Sequence, residues 1–348
     1  MDICTRLSYR PPSSSLQNLQ DLEDKLLARI VFGYSTDYWP DVLRLLLVNK
    51  RFCALGLDYI HRVSVQSNSK VSGTWLCATL PRMAWRLSSL KLDFTLRGDV
   101  EGGGEAFPSS EVLAALLETL APTLTRLSLR GTALNDEAMK ALAVLNKKLE
   151  ILDVSKSSRS FAPLITDVGI EHLCGGVSDS APFARMVWLN LAMTRITDES
   201  IMGISRNMPM LRHLGLQCCS LLTDDCCLSL ESLSLESLDV SSCQQLTDTA
   251  FFTLGAKKSN CRASLQHLFA CYLPLTSPDL LALLLVVFER LEVLAYKSKA
   301  FGALADENVM PPLYKRQQAK LKLKAAIFTH ADSVAHDYSI YSWLPDKL

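Results

Sequence analysis

The sequence predicts an α/β solenoid, in which short strands alternate with helices and successive repeats stack on one another. Two observations predict this fold. A motif of the form Leu/Ile-Thr/Asn-Asp recurs through the middle of the chain, and an apolar pair with the spacing Leu-x-Leu precedes each copy. One such unit cannot cover its own apolar face, so the units must stack.

The recurring motif appears six times, with successive copies 31, 31, 26, 24 and 29 residues apart. The copies begin at Leu134, Ile165, Ile196, Leu222, Leu246 and, in a degenerate form, Leu275. The apolar pairs before them are Leu127/Leu129, Leu152/Val154, Leu189/Leu191, Leu214/Leu216, Leu238/Val240 and Leu268/Ala270, with further copies at Leu291/Leu294, Leu90/Leu92 and Val63/Val65.

Each part of the unit has a physical interpretation. The Leu-x-Leu pair predicts a short strand whose alternate side chains point into the core. Thr or Asn followed by Asp suits a helix N-terminus, because the side-chain oxygen caps free N–H groups and the carboxylate favours the positive end of the helix dipole. The apolar stretch that follows, such as Ala138-Met139 with Leu142, predicts a helix that packs on the strand.

A cysteine follows the strand by three residues in two copies, Cys219 and Cys243, and Thr132 and Thr194 take the same place in others. This pattern resembles the cysteine-containing leucine-rich repeats of the F-box/LRR family over roughly residues 124–296. The resemblance implies an α/β horseshoe of roughly nine strand–helix units.

The N-terminal part carries two predicted helices: Leu22–Val31 is amphipathic, and Asp41–Phe52 is apolar and ends in a basic pair and an aromatic residue. Together they resemble an F-box. An F-box docks on a Skp-type adaptor, and Glu23 and Phe52 depart from the family pattern, which usually has Pro and Trp there. The alternative is a helical cap over the end of the solenoid. The resemblance implies adaptor binding by Leu22, Leu26, Leu27, Ile30, Leu43 and Val48.

The predicted organisation has four parts: a flexible N-terminus at 1–18, the F-box-like segment at 19–62, leucine-rich repeats at 63–300, and a C-terminal segment at 301–348. The last part contains a basic helical stretch, Lys315–Lys324, with Ile327 on its apolar side. It either caps the last repeat or docks an acidic partner. Aromatic residues near the C-terminus predict a tail that packs back on the body.

Composition excludes several classes of protein. The formal net charge is +0, which argues against direct binding of a nucleic acid. The first 20 residues lack the apolar core of a secretory signal, and no apolar run approaches the roughly 20 residues of a spanning helix. We therefore expect no membrane partner, a cytoplasmic or nuclear location, and reduced thiols for the 11 cysteines.

No cluster of residues predicts catalysis, a metal or a cofactor. The cysteines at 218, 219, 226, 227 and 243 lack the two closely spaced pairs of Cys or His ligands that a zinc site usually has. The repeat explains them as small buried residues. Gly102–Gly104 is flanked by acidic residues and lacks the Lys-Ser/Thr of a phosphate loop. The sequence indicates a binding protein rather than an enzyme.

The strands should line the concave face, so residues between the leucines should point away from the helices and face solvent. Trp188 and Phe269 are large apolar groups at such positions and predict an interface, unless an insertion or the tail covers them. The predicted partner-binding residues are Trp188, Asn190, His213, Asp239, His267 and Phe269.

The resemblance implies that the protein recognises substrates for an SCF-type cullin–RING ubiquitin ligase. The F-box would bind the Skp-type adaptor, and through it a cullin, while the concave face would hold a protein substrate. The alternative is a non-catalytic repeat scaffold in a stable assembly, with a degenerate F-box that binds no adaptor.

Overall fold

The computed structural model describes residues 62–66, 80–83, 87–93, 110–146, 148–155, 165–175, 183–277, 280–298 and 325–327. The chain divides into two units, Met1–Ile60 and His61–Leu348, and every described residue belongs to the second. The six predicted adaptor-binding residues lie outside the described residues, as do the basic stretch 315–324 and the aromatic tail.

The described strands form one open sheet of ten strands, whose spatial order is the order of the chain. Every neighbouring pair is parallel. The strands are β1 Arg62–Gln66, β2 Ser89–Asp93, β3 Arg126–Arg130, β4 Ile151–Asp153, β5 Trp188–Asn190, β6 His213–Gly215, β7 Ser237–Asp239, β8 His267–Leu273, β9 Val293–Ser298 and β10 Ala325–Ile327. A parallel sheet in strict chain order is the sheet of a solenoid.

Eight described α-helices connect the strands. They are α1 Ser110–Leu120, α2 Asp136–Leu145, α3 Asp167–Leu173, α4 Asp198–Asn207, α5 Cys226–Leu230, α6 Asp248–Leu254, α7 Asn260–Ser264 and α8 Leu280–Val287. Two 3₁₀ turns, Leu80–Met83 and Ala121–Thr123, complete the connections. Among the described residues, no helix combines the length and the apolar character needed to cross a membrane.

The predicted helix caps are confirmed at α2, α3, α4 and α6, whereas Thr223 does not cap α5, whose N-cap residue is Asp225 without a side-chain cap hydrogen bond. Asn135 caps α2 by accepting a hydrogen bond from the N–H of Ala138 at 3.0 Å. Thr166, Thr197 and Thr247 cap α3, α4 and α6 in the same way. Each cap satisfies an N–H group that has no partner within its own helix.

The predicted register is also confirmed. Arg126, Ile151, Trp188, His213, Ser237, His267 and Val293 stand opposite one another on successive strands. The leucine row beside them is 0–1% exposed and forms the core between the sheet and the helices; its members include Leu127, Leu152, Leu189, Leu214, Leu238 and Leu268. The Val63 and Leu90 copies form β1 and β2, as the spacing predicts.

Strand β10 differs from the prediction, which placed Ile327 on a helix. Ile327 instead pairs with Ala295 of β9. The edge of β9 presents a row of backbone N–H and C=O groups, and a further parallel strand satisfies them. The sheet therefore extends into the segment that was predicted to be a C-terminal helix and tail.

Candidate partner-binding surface

The candidate surface is the concave face of the sheet, which is the face opposite the helices. A left-handed residue stands at an equivalent position in the repeats of β5 to β8, namely Met193, Cys218, Ser242 and Tyr272, with φ between 58° and 62°. The N–H of Cys218 then binds the carbonyl of Ser241 in the next repeat at 2.8 Å. The repeated turn keeps neighbouring strands in register, so side chains at equivalent positions form columns across the face.

The prediction that these columns face solvent is wrong for four of the six named residues. Trp188 is 2% exposed, Asn190 0%, Asp239 2% and Phe269 1%. His213 and His267 are partly exposed. The row of side chains that contains Asn190, Asp239 and Phe269 is therefore largely buried, and the accessible groups of this face are mainly polar.

Two of the buried residues form hydrogen bonds with the backbone just beyond the ends of their own strands. Asn190 accepts a hydrogen bond from the N–H of Ala192 at 3.0 Å, and Asp239 accepts one from the N–H of Ser241 at 2.9 Å. Asp153 does the same for the N–H of Ser155 at 3.1 Å. An Asn or Asp side chain that binds the backbone two residues on stabilises a turn, which explains why these polar groups point back at the sheet.

Phe269 is buried by apolar neighbours on the same face. It forms a cluster with Val293 of β9 and Cys271 of its own strand. Strands about 4.8 Å apart bring same-face side chains into direct contact, so a large ring between two such neighbours loses much of its access to solvent. The register placed Phe269 on this face, but the contacts with Val293 come from a repeat further along the chain.

A group of charges lies at the β2–β4 end of the concave face. Arg130 bridges two carboxylates, with its guanidinium 3.6 Å from Asp93 and 3.8 Å from Asp153. Burial raises the pKa of Asp153 to about 6, although Arg130 and the hydrogen bonds from Ser155 oppose this shift. Arg130 and Asp153 lie on the adjacent strands β3 and β4, and the repeat pattern alone does not indicate their ion pair.

The two accessible histidines lie two strands apart, with Ser237 between them. Burial lowers the pKa of His213, and the neighbouring His267 and Arg212 add to this effect while Glu236 opposes it. His213 is therefore a neutral imidazole at pH 7, able both to donate and to accept a hydrogen bond. With the partly exposed Gln217, it offers hydrogen-bonding groups rather than charge.

The cysteines behave as the repeat predicts. Cys219 and Cys243 are 0% exposed, and their thiols donate to the carbonyls of Leu191 at 3.2 Å and Leu216 at 3.1 Å. Burial raises the pKa of Cys219 to about 12, which keeps the thiol protonated. Thr194 donates its hydroxyl to the carbonyl of Leu191 in its own repeat at 2.7 Å, whereas the Cys219 thiol reaches the same carbonyl from the next repeat.

Within the part of the chain that the structure describes, no three His, Cys, Asp or Glu side chains are grouped as metal ligands. A cleft of about 290 Å³ lies between α3 and α4, with Glu171, Glu199 and Cys174 in its lining. Burial raises the pKa of Cys174 to about 12, so this thiol is a poor nucleophile. The carboxylate of Asp167 in the same cleft is hydrogen-bonded to Thr197.

Comparison with known proteins supports the fold. A family model of the leucine-rich repeat matches residues 121–143 and 231–250. The crystal structure of the Rad7 and Elc1 complex in yeast is similar with a TM-score of 0.56 and 17% sequence identity, covering 84% of this chain and 72% of that chain. The structure of a TLR13–ssRNA13 complex has a TM-score of 0.39 and 16% identity, over 70% and 37% of the two chains. No curated protein matches the sequence.

The chain is therefore an α/β leucine-rich-repeat solenoid, as the sequence predicts. At 17% identity, the likeness to Rad7 concerns the fold alone.

Proposed function

We propose that the protein is the substrate-recognition subunit of an SCF-type cullin–RING ubiquitin ligase. In this proposal the segment 19–62 docks on a Skp-type adaptor, which brings a cullin, and the concave face of the repeats holds a protein substrate. The observation that carries the proposal is the leucine-rich-repeat solenoid behind an F-box-like sequence. The similar solved structure contains Rad7 in complex with a second protein, Elc1, which supports a role in assembly.

The protein would carry out no bond chemistry itself. It would hold a substrate lysine close to the ubiquitin-carrying enzyme, so that a reaction between separate molecules proceeds within one complex. Such a task requires a rigid surface, because a preorganised interface loses little entropy on binding. The hydrogen-bonded turns and the continuous sheet supply this rigidity. In this proposal the protein acts in the cytoplasm or the nucleus.

The accessible part of the concave face defines the substrate contacts in this proposal. His213, Gln217 and His267 are partly exposed hydrogen-bonding groups; the first two belong to the β6 repeat, and His267 lies two strands away on β8. Trp188 and Phe269 are buried, so they offer a partner almost no accessible surface. A partner with complementary donors and acceptors on an exposed strand or loop would fit this surface.

The alternative is a repeat scaffold in a stable assembly. Glu23, Phe52 and the long link at residues 33–40 favour it, since all three depart from the F-box pattern. The two functions differ in one property, which is binding of the adaptor.

Co-purification tests the proposal. We expect the full chain to retain a Skp-type adaptor and a cullin, and the double variant Leu26→Ala/Leu27→Ala to lose both, because buried leucine anchors carry much of an interface's energy. The control variant His213→Ala/His267→Ala should keep the adaptor and lose the substrate. Failure of the wild-type chain to bind the adaptor at micromolar concentration would refute the ligase function and leave the scaffold.

A further inference from the structure

An apolar stripe runs across the convex helices α4, α5 and α6. Met202, Leu228 and Phe252 each lie four residues after the Asp of the repeated Thr-Asp motif. They therefore occupy equivalent positions in three consecutive repeats. Their exposed fractions are 39%, 54% and 51%. Isolated apolar residues are common on protein surfaces, but three in one register on adjacent helices form a continuous feature.

The stripe has defined ends, and its edge at the N-terminal ends of α4 and α5 is acidic. The equivalent positions in α2 and α3 are Lys140 and Glu171, which are both exposed and charged. Glu199 and Asp225 lie three residues before Met202 and Leu228, one helical turn away on the same face. Both carboxylates are exposed, and neither forms an ion pair with a described residue.

We propose that the stripe formed by Met202, Leu228 and Phe252 is a docking site for a basic amphipathic helix of a partner protein. This site lies on the helical side of the solenoid, so it is separate from the concave face. The proposal therefore does not depend on the ligase function.

The size of the stripe favours a helix as the occupant over a second copy of this chain. About half of each of the three side chains is exposed, which amounts to roughly 300 Å² of apolar surface. A stable dimer needs about 800 Å² on each partner. A single helix that lays a narrow apolar face on the stripe matches the smaller area.

Spacing and charge define the partner helix. Adjacent helices pack with their axes 8–10 Å apart, so the three anchors span about 20 Å, which is the length of about 14 helical residues. One apolar anchor every two turns on the partner would therefore meet each of α4, α5 and α6. Lys or Arg beside those anchors would face Glu199 and Asp225, whereas an acidic helix would be repelled.

The test uses a fluorescein-labelled peptide of three heptads, with Leu at the a and d positions and Lys at the remaining charged positions. Fluorescence anisotropy measures its affinity for the full-length protein. We expect Leu228→Ser and Phe252→Ser each to weaken binding about tenfold. Val144→Ser is the matched control, because Val144 is 67% exposed on α2 and lies outside the stripe.

A second set of measurements reverses the charges of the peptide and of the protein. The same peptide with Glu in place of Lys should bind at least tenfold more weakly to the wild-type protein, and Glu199→Lys/Asp225→Lys should reverse this preference. Thermal melts verify that each variant is folded. Lack of binding by the basic peptide, equal binding of both peptides, or binding that is unchanged by Leu228→Ser would overturn the proposal, whatever the outcome for the adaptor.

Discussion

The carboxylate of Asp167 accepts two hydrogen bonds from Thr197 in the next repeat, one from its backbone N–H at 2.8 Å and one from its hydroxyl at 2.9 Å. Thr197 at the same time caps α4. The same pairing joins Asp136 to Thr166, Asp198 to Thr223, Asp224 to Thr247 and Asp248 to Thr276. This Asp–Thr ladder ties the start of each repeat's helical segment to the preceding repeat.

The ladder should contribute measurably to stability. We expect Asp167→Ala to lower the free energy of unfolding by about 2–3 kcal/mol, because it removes a charged acceptor from Thr197 and Ser200. Glu171→Ala removes an exposed carboxylate from the same helix and should change it by less than about 0.5 kcal/mol. Urea titrations measure both values, and equal effects would show that the ladder is not a stabilising feature.

Gly169 should reject a side chain although it lies in a helix. A Cβ atom there would overlap the carboxylate of Asp136, which accepts the N–H of Gly169 at 3.1 Å, and would lie 3.3 Å from Met139. We expect Gly169→Ala to lower stability by about 1–3 kcal/mol, against the usual gain for alanine in a helix.

Gly203 in α4 is the matched control for that substitution. An added Cβ would meet only the side chain of Cys174, with its sulfur at 3.3 Å. Gly203→Ala should therefore leave stability within about 1 kcal/mol of the wild type. Urea midpoints for the two variants that agreed with each other would contradict the close approach at Gly169.

We expect Asp153 to make the free energy of unfolding depend on pH. Its pKa is raised from 3.8 to about 6 by burial, so between these values the folded chain binds this proton more tightly than the unfolded chain. The contribution of Asp153 to stability is therefore greatest below pH 3.8 and is lost as the pH rises through 6. Asp153→Asn lacks this dependence, so its stability relative to the wild type should rise by roughly 2 kcal/mol from pH 4 to pH 7.

Comparison of the two proteins at each pH removes the effect of all other groups. The measurement is the free energy of unfolding from urea titrations at several pH values. A difference that stays constant across this range would mean that Asp153 titrates with its ordinary pKa.

Phe269 and His267 lie on the same strand and should respond differently to substitution. Phe269 is 1% exposed, so Phe269→Ala should lower the free energy of unfolding by about 3–5 kcal/mol and lower the melting temperature. His267→Ala removes a partly exposed group and should affect partner affinity more than stability. A thermal melt unchanged by Phe269→Ala would show that the ring is not part of the core.

Cys218 and Cys219 are adjacent in the chain and should differ in reactivity. Cys219 is 0% exposed and its pKa is raised to about 12, whereas Cys218 is partly exposed. We expect iodoacetamide at pH 7.5 to label Cys218 first in the folded protein, because the thiolate is the reacting form. Peptide mass spectrometry measures the two rates, and equal labelling in the absence of denaturant would contradict the buried position of Cys219.

Local patterns are sufficient for the strands β1 to β9, their register and four of the helix caps, but not for β10. Leu214 and Leu216 predict a strand because alternate side chains share a face, and Thr197 predicts a helix start because its hydroxyl accepts a free N–H. The strict recurrence of Asp after Thr was also visible, but we assigned Asp167 to the helix dipole alone. The same recurrence could have indicated the ladder, since a polar residue repeated at equivalent positions in a stack meets its own copies.

By itself, the sequence determined the repeat unit, and with it the open α/β sheet and the columns of its concave face. The tertiary structure alone decided which members of those columns are accessible. Trp188 and Phe269 have the correct register for an exposed interface and are nevertheless buried. Periodicity reports the direction in which a side chain leaves its strand, whereas burial depends on atoms contributed by other repeats, such as Val293 against Phe269.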